Sequence, residues 1–275
     1  NCEYHPSVKL HENIRAVNDL CDLKDVDVIF LCIPSSVMRQ TMVQLNEIVS
    51  DKCIFVSTAK GIENKTNKRM SEVIEEETGR SAVVLSGPNI ASEMMKTLPS
   101  ATTIASIEKK DLKIVKSVLS TSKLKVNTNH DVIGTEFCGI IKNILAISQG
   151  ICKGMGINDN AKFAVFTKSY NETKCIIEKL GGNRSTVDDY CGFGDIITAS
   201  TLNVSRNHTL GIWYGQGVYL DEQTGVLFEG KNTSKVFKQI CDEHDIHSPT
   251  VDFVYHTVIE NKNPKIEFNR IWDEL

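Results

Sequence analysis

Three short apolar runs, each followed by a loop of small, polar or charged residues, constrain the fold of this chain more than any other feature. They are VDVIFLC before IPSS, CIFVST before AKGIE and AVVL before SGPNIAS, all within residues 26–92. Apolar residues at helical spacing fill 37–49 and 67–79 between them, and the second segment ends in a glycine. This alternation predicts right-handed crossovers and a parallel sheet. Because ligands bind beyond the carboxyl ends of such strands, we expect the three loops to line one ligand-facing edge.

The pattern changes near residue 129. Two further short strands, TTIAS and LKVNT, precede this point, whereas helical spacing dominates from Asp131 onward. The helical segments are IGTEFCGIIKNILAISQGI, AKFAVFTKSYNETKCIIEKLGG, SKVFKQICDEHD and VDFVYHTVIEN. We therefore predict an α/β domain over residues 1–129 and an all-helical domain over residues 130–275.

Composition narrows the classes of function. The 275 residues are 41% hydrophobic and carry a net charge of only −4, so we expect no nucleic-acid partner. The longest apolar stretch, Val28–Ile33, has the length of a strand, and a membrane span needs about 18 apolar residues. We therefore expect no membrane span. The nine cysteines are odd in number and form no Cys-x-x-Cys pair, which indicates small buried side chains in a reducing compartment.

Lys142 is unusual because it interrupts an otherwise apolar helical segment. On a helical wheel, the residues that lie in the same stripe of the helix surface as Lys142 are small, and we expect them to leave a cavity beside the ammonium group. These residues are Thr135, Cys138, Gly139, Ala146 and Gly150. The lysine either extends to solvent from a half-buried helix, or is desolvated and exchanges a proton with a carbonyl group that it polarises. The amide of Asn143 would hold a substrate or orient the lysine.

Two further charged residues stand at predicted element ends. Lys60 ends a strand and is followed by glycine, which suits either a surface turn or a site that neutralises a phosphate or an oxyanion. Asp195 follows the glycines of CGFGD and would open a helix, where capping is the simplest role for a carboxylate.

The tripeptide Ser205-Arg206-Asn207 resembles a second helix entry. It offers a hydroxyl, backbone N–H groups, a guanidinium and an amide, which together can bind a phosphate. A metal site at Cys241, His244 and His247 is not expected, because their spacing drifts around the helix and no fourth ligand is evident.

With these residues in view, the chain resembles the NAD(P)-dependent sn-glycerol-3-phosphate dehydrogenase family over essentially its whole length. The segments AKGIE, LSGPNIASE, TEFCGIIKNILAISQGICKGMGINDNAK, GFGDIITASTLNVSRN and FEG occur in the family's order and at about its spacing. The resemblance implies a Rossmann-type parallel sheet domain followed by a helical domain that binds substrate and carries the catalytic lysine.

The resemblance also implies roles for individual residues of the sheet half and the lysine helix. Lys142 corresponds to the family's catalytic lysine, which gives a proton to and takes one from the C2 oxygen of the substrate. Lys60 corresponds to the lysine of the KG motif, which contacts the substrate near the nicotinamide. Gly87 and Asn89 resemble positions that contact the substrate, and Ala91 resembles a cofactor contact.

The remaining implied roles lie further along the chain. Asp195 resembles the aspartate close to the catalytic lysine and the substrate hydroxyls. Three residues resemble the site for the substrate phosphate, with the guanidinium also reaching the cofactor: Ser205, Arg206 and Asn207. Leu227 and Glu229 resemble cofactor-binding positions.

The sequence departs from the family at its beginning. A dinucleotide-binding sheet normally opens with a strand and a Gly-x-Gly-x-x-Gly turn, and neither is found here. We expect either that this first segment is missing from the chain or that the protein never had one, so the choice between NAD and NADP stays open.

The resulting hypothesis is reversible NAD(P)H-dependent reduction of dihydroxyacetone phosphate to sn-glycerol 3-phosphate, which feeds glycerophospholipid synthesis. The resemblance further implies a cytoplasmic homodimer. Two alternatives stay open: a non-catalytic relative that binds a phosphorylated metabolite, and a related reductase of the same fold.

Overall fold

A five-stranded sheet forms the first half of the protein. The computed structural model describes residues 8–96, 98–202, 205–219 and 229–275, without the side chain of Glu229. The strands lie in chain order and are β1 (Val28–Leu31), β2 (Ile54–Ser57), β3 (Val83–Ser86), β4 (Ser100–Ala105) and β5 (Leu124–Asn129). The pairs β1–β2, β2–β3 and β4–β5 are parallel, whereas β3–β4 is antiparallel. The predicted parallel arrangement of the first three strands is therefore confirmed.

Four helices connect these strands: α1 (Met38–Ile48), α2 (Met70–Thr78), α3 (Ala91–Met94) and α4 (Lys109–Leu119). The helices predicted over 37–49 and 67–79 correspond to α1 and α2. Gly79 ends α2 with a positive φ of 67°, a conformation that glycine adopts without steric cost.

The sheet is covered on both faces. Strand residues Ile29, Leu31 and Phe55 pack against the apolar sides of α1 and α2. Ile54 and Val56 point to the opposite face and pack with α4. Alternate residues of β1 and β2 thus enter different cores, which explains why both strands are apolar runs rather than alternating patterns.

Helices make up the described part of the second half. They are α5 (Val132–Gly154), α6 (Asp159–Lys179), α7 (Asp195–Thr201), α8 (Arg206–Gly215), α9 (Glu229–Glu243), α10 (Pro249–Val258) and α11 (Pro264–Trp272). A 3₁₀ turn, Arg184–Asp188, and a π-helical turn, Tyr190–Gly194, lead into α7. The sequence patterns indicated α5, α6, α9 and α10, and helix entries at α7 and α8. Across the described ranges, no helix combines the length and apolarity that a membrane crossing requires.

Helix α5 is the core of this half, and it contacts α8 through four glycines that we call the glycine seam: Gly150, Gly154, Gly211 and Gly215. A Cβ atom at Gly150 would lie 2.1 Å from the carbonyl oxygen of His208, and one at Gly211 would lie 2.2 Å from that of Ile147. The two backbones therefore touch.

Small residues of the Lys142 stripe contact neighbouring elements at two positions, Gly139 and Gly150. The space above Gly139 holds Ser86 Oγ and the stem of Lys60, and Gly150 lies against α8. Small residues at these two positions let other elements approach the helix closely.

Candidate active site

Two lysines from different elements meet at one buried aspartate. Lys142 Nζ donates a hydrogen bond to Asp195 Oδ1 at 2.7 Å. Lys60 Nζ donates to Asp195 Oδ2 and also to the carbonyl oxygen of Gly87, the latter at 3.1 Å. Asp195 is only 2% exposed. We call these three side chains the Lys–Asp–Lys cluster.

The cluster decides between the interpretations that the sequence left open. The side chain of Lys142 is 16% exposed and that of Lys60 is 21% exposed, and both ammonium groups point to the buried carboxylate. Neither a lysine extending to solvent nor a surface-turn lysine describes them. Asp195 is the first residue of α7, but its carboxylate pairs with the lysines instead of capping the helix.

Local structure explains how the three residues converge. Lys60 lies in the loop after β2, three residues beyond the carboxyl end of the strand at Ser57, and its stem lies over Gly139 of α5. Asn143 Nδ2 donates to the backbone carbonyl of Lys60 at 3.4 Å, so this amide holds the Lys60 segment rather than Lys142. The π-helical turn delivers Asp195 from the other side.

Burial tunes the proton affinity of the cluster. Desolvation of the Lys142 ammonium lowers its pKa to about 8, and the positive charge of Lys60 lowers the pKa in the same direction. Asp195 opposes both effects. A lysine with a pKa near neutrality can both give and take a proton, which general acid–base catalysis requires.

The SGPN loop is fixed to β4. Asn89 Nδ2 donates to the carbonyl of Ala101 at 3.2 Å, and its Oδ1 accepts from Thr102 Oγ1 at 3.0 Å. A Cβ atom at Gly87 would lie 3.0 Å from Thr102 Cα. Gly87 orients Lys60 through its carbonyl, and Asn89 braces the loop. Ala91 is exposed at the first residue of α3.

The predicted phosphate site lies at the start of α8. Ser205 caps this helix, and its Oγ accepts from His208 N at 3.3 Å. Arg206 is exposed. Asn207 Oδ1 accepts from Gly230 N at 3.2 Å, which uses the amide oxygen, whereas a phosphate would be bound by the amide nitrogen. The glycine seam fixes α8 beside α5 at Gly150, eight residues or about 12 Å along the helix from Lys142.

The two predicted cofactor positions Leu227 and Glu229 stand in the segment that leads into α9 and at its first residue. Leu227 lies outside the described residues, and so does the side chain of Glu229, the first residue of α9.

Sequence reasoning missed two features of the site. It paired Asp195 with Lys142 alone, because nothing in AKGIE indicates which carboxylate faces Lys60. It also overlooked Glu136, a second charged residue in the same apolar helix as Lys142, which is 2% exposed. Glu136 interrupts the apolar pattern of α5 just as Lys142 does, so the signal that identified Lys142 could also have identified Glu136.

The chain matches two family models over most of its length. NAD-dependent glycerol-3-phosphate dehydrogenase C-terminus matches residues 131–269, and NAD-dependent glycerol-3-phosphate dehydrogenase N-terminus matches residues 1–112. The chain belongs to this dehydrogenase family.

Individual members of the glycerol-3-phosphate dehydrogenase family support the assignment. A Clostridium botulinum protein named glycerol-3-phosphate dehydrogenase (NAD(P)+) is 35% identical over 270 residues, covering 97% of this chain and 82% of its own length. A Staphylococcus aureus protein of that name is also 35% identical, over 96% of this chain and 82% of its own. The crystal structure of glycerol-3-phosphate dehydrogenase from Coxiella burnetii superposes with a TM-score of 0.91 at 29% identity, covering 97% of this chain and 83% of that one.

The glycerol-3-phosphate dehydrogenase family uses NAD or NADP, and a Rossmann-type sheet binds such a dinucleotide beyond the carboxyl ends of its strands. The loops after β1 and β2 approach so closely that a Cβ atom at Gly61 would lie 2.5 Å from Ser35 Oγ. Gly61 is buried in this contact, so the two loops pack against each other at the carboxyl edge of the sheet. Lys60 adds a positive charge at the same edge.

Proposed function

We propose that this chain catalyses reversible reduction of dihydroxyacetone phosphate to sn-glycerol 3-phosphate with NADH or NADPH. The observation that carries the proposal is the Lys–Asp–Lys cluster, in which a buried lysine with a pKa of about 8 is held by a buried aspartate. A desolvated lysine whose pKa lies near neutral pH is suited to proton transfer, and strongly perturbed pKa values cluster at catalytic sites.

The proposed chemistry divides between cofactor and protein. A bound NADH or NADPH would supply the hydride for C2 of the ketone. Lys142 gives its proton to the C2 oxygen, and the reverse reaction returns the proton to the amine. Asp195 orients the ammonium group of Lys142, while Lys60 contributes positive charge that stabilises the developing oxyanion.

Substrate binding is assigned to two groups of residues. Ser205, Arg206 and Asn207, which we call the phosphate anchor, would hold the phosphate through the guanidinium, the amide and the N-terminal N–H groups of α8. Gly87, Asn89 and Asn143 would shape the opposite side, together with the cluster. The proposed cofactor contacts are Lys60, Ala91, Arg206, Leu227 and Glu229.

Further parts of the proposal concern the whole protein. We place the division between a cofactor domain and a substrate domain at residues 129 and 130, because β5 ends at Asn129 and the described structure is helical from α5 onward. We also propose a cytoplasmic homodimer that supplies glycerol phosphate for phospholipid synthesis; family membership is the support for this part.

The test is a spectrophotometric assay. Purified protein is mixed with dihydroxyacetone phosphate and either NADH or NADPH, and the loss of nicotinamide absorbance is followed. We expect turnover with at least one cofactor and far less with unphosphorylated dihydroxyacetone. Folded protein that binds the phosphate without turnover would overturn the proposal in favour of a binding protein. Equal rates with and without the phosphate would favour a related reductase.

A further inference from the structure

A buried carboxylate that the proposed chemistry does not use joins the two halves of the protein. Glu136 lies on α5, and its Oε1 accepts from the backbone N–H of Ser71 at 3.0 Å. Its Oε2 accepts from Ser71 Oγ at 2.6 Å and from Arg69 Nη1 at 3.1 Å. Three donors from one short segment therefore converge on one carboxylate of another element.

That segment closes the loop that begins at Lys60. Ile62 forms an antiparallel bridge with Arg69, and Glu63 N donates to the carbonyl of Lys68 at 2.9 Å. Residues 61–69 are thus a closed loop whose first end follows Lys60 and whose last end, at Arg69, is the N-cap of α2. Whatever fixes Arg69 also fixes the backbone two residues after Lys60.

Helix α5 holds this loop at both ends. At the Lys60 end, the amide of Asn143 donates a hydrogen bond to the carbonyl of Lys60. At the other end, Glu136 accepts hydrogen bonds from Arg69 and Ser71. We propose that Glu136 is a positioning residue that sets where the Lys60 ammonium meets Asp195, and through Asp195 where Lys142 lies. This inference rests on the proposed function only for its kinetic readout.

The chemistry of the contact suits positioning better than stability. Burial raises the pKa of Glu136, and the charge of Arg69 opposes that shift. A carboxylate kept at this cost contributes little net stability compared with an apolar residue, but it accepts directed hydrogen bonds that an apolar residue cannot. Directed bonds fix an angle and a register between α5 and the loop.

The test compares Glu136→Gln with a matched control, Glu267→Gln. Glu267 is likewise a buried glutamate of the helical half and accepts from Arg270 Nη1 at 3.1 Å, but it lies on α11. Glu136→Gln should fold, because Arg69 keeps its ion pair with Glu72 at 3.2 Å. Ser71→Ala, which removes one of the three donors, is a milder second variant.

We expect Glu136→Gln to lower kcat by about 10- to 100-fold, the usual effect of a displacement near 1 Å at a catalytic group. Ser71→Ala should lower it less, and Glu267→Gln should leave it unchanged. The rate at which acetic anhydride labels Lys60, measured by mass spectrometry, should rise in Glu136→Gln and in Ser71→Ala but not in Glu267→Gln. Wild-type kcat and labelling in folded Glu136→Gln, or equal losses in Glu267→Gln, would overturn the inference.

The labelling measurement separates this inference from the proposed function. If the wild-type protein turns over no substrate, the proposed function fails, yet faster labelling of Lys60 in Glu136→Gln would still support the positioning role. If the wild-type protein is active and labelling of Lys60 does not change, the positioning role alone fails.

Discussion

Lys142 is the residue whose removal should most affect catalysis and least affect folding. Lys142→Met should lower kcat by about 10²- to 10⁴-fold, the usual range for loss of a general acid. The fold should persist because Asp195 keeps its ion pair with Lys60 and the thioether fills the vacated space. Steady-state kinetics and circular dichroism test this, and near-normal turnover would contradict the assigned role.

The pH dependence of the rate follows from the lowered pKa of Lys142. In the reduction direction the ammonium must be protonated, so kcat should fall as pH rises through about 8. In the oxidation direction the neutral amine is required, so the rate should rise through the same range.

The variant Lys60→Met tests the cause of the shift. The charge of Lys60 lowers the pKa of Lys142, so removing that charge should move the midpoint of the residual activity to higher pH. A pH profile of each direction for both proteins is the measurement, and an unchanged midpoint would mean that the charge of Lys60 does not contribute to the lowered pKa of Lys142.

For individual residues, the sequence identified Lys142, Lys60 and Asp195 as unusual, but it did not predict how their side chains meet. A charged residue inside an apolar helix or at the end of a strand can be recognised from the sequence alone. The meeting of two lysines at one carboxylate depends on the packing of β2, α5 and α7, which no local pattern contains.

Elements were more predictable than their contacts. Apolar runs and glycine stops indicated β1, β2, β3, α1 and α2, because each pattern arises within a few residues. The antiparallel direction of β4 was not predicted, since a turn signal such as Gly87-Pro88 marks a break in the chain but does not fix the direction of the next strand. The contacts of Gly139 and Gly150 on α5 were not predicted either, because periodicity identifies a face and not its neighbour.

The glycine seam gives a prediction about helix packing. Gly150→Ala would place a Cβ atom 2.1 Å from the carbonyl oxygen of His208, so α8 must move away. We expect a loss of unfolding free energy of about 1–3 kcal/mol or more. Because α8 begins at the phosphate anchor, the KM for dihydroxyacetone phosphate should also rise.

Gly215→Ala is the matched control for this substitution. Its Cβ atom would lie 2.3 Å from the carbonyl oxygen of Ile151, but at the far end of α8 from the phosphate anchor. Chemical denaturation should show a comparable loss of stability, while KM should change less than in Gly150→Ala. Equal changes in KM would contradict this prediction, because the effect would then not depend on how close the substitution lies to the phosphate anchor.

For the whole molecule, the site requires both halves. Lys60 comes from the sheet, Lys142 and Asp195 come from the helices, and Glu136 ties the two together. Relative movement of the halves would therefore change the Lys–Asp–Lys cluster before it changed either core.

Ligand binding should accordingly stabilise the whole protein through the phosphate anchor. At 100 times its Kd, sn-glycerol 3-phosphate should add about 2.7 kcal/mol to the free energy of unfolding and raise Tm by roughly 5 °C. Glycerol at the same concentration should raise Tm far less, because it has no group for the exposed guanidinium of Arg206. Arg206→Ala should raise the Kd for the phosphate ester by about 10- to 100-fold and remove about half of the shift or more. Thermal unfolding of both proteins with both ligands is the measurement. A shift that persists in Arg206→Ala would mean that a group other than Arg206 binds the phosphate. A shift that glycerol reproduces would mean that the phosphate does not contribute to the stabilisation, since only a group that binds the phosphate can make stability depend on the phosphate.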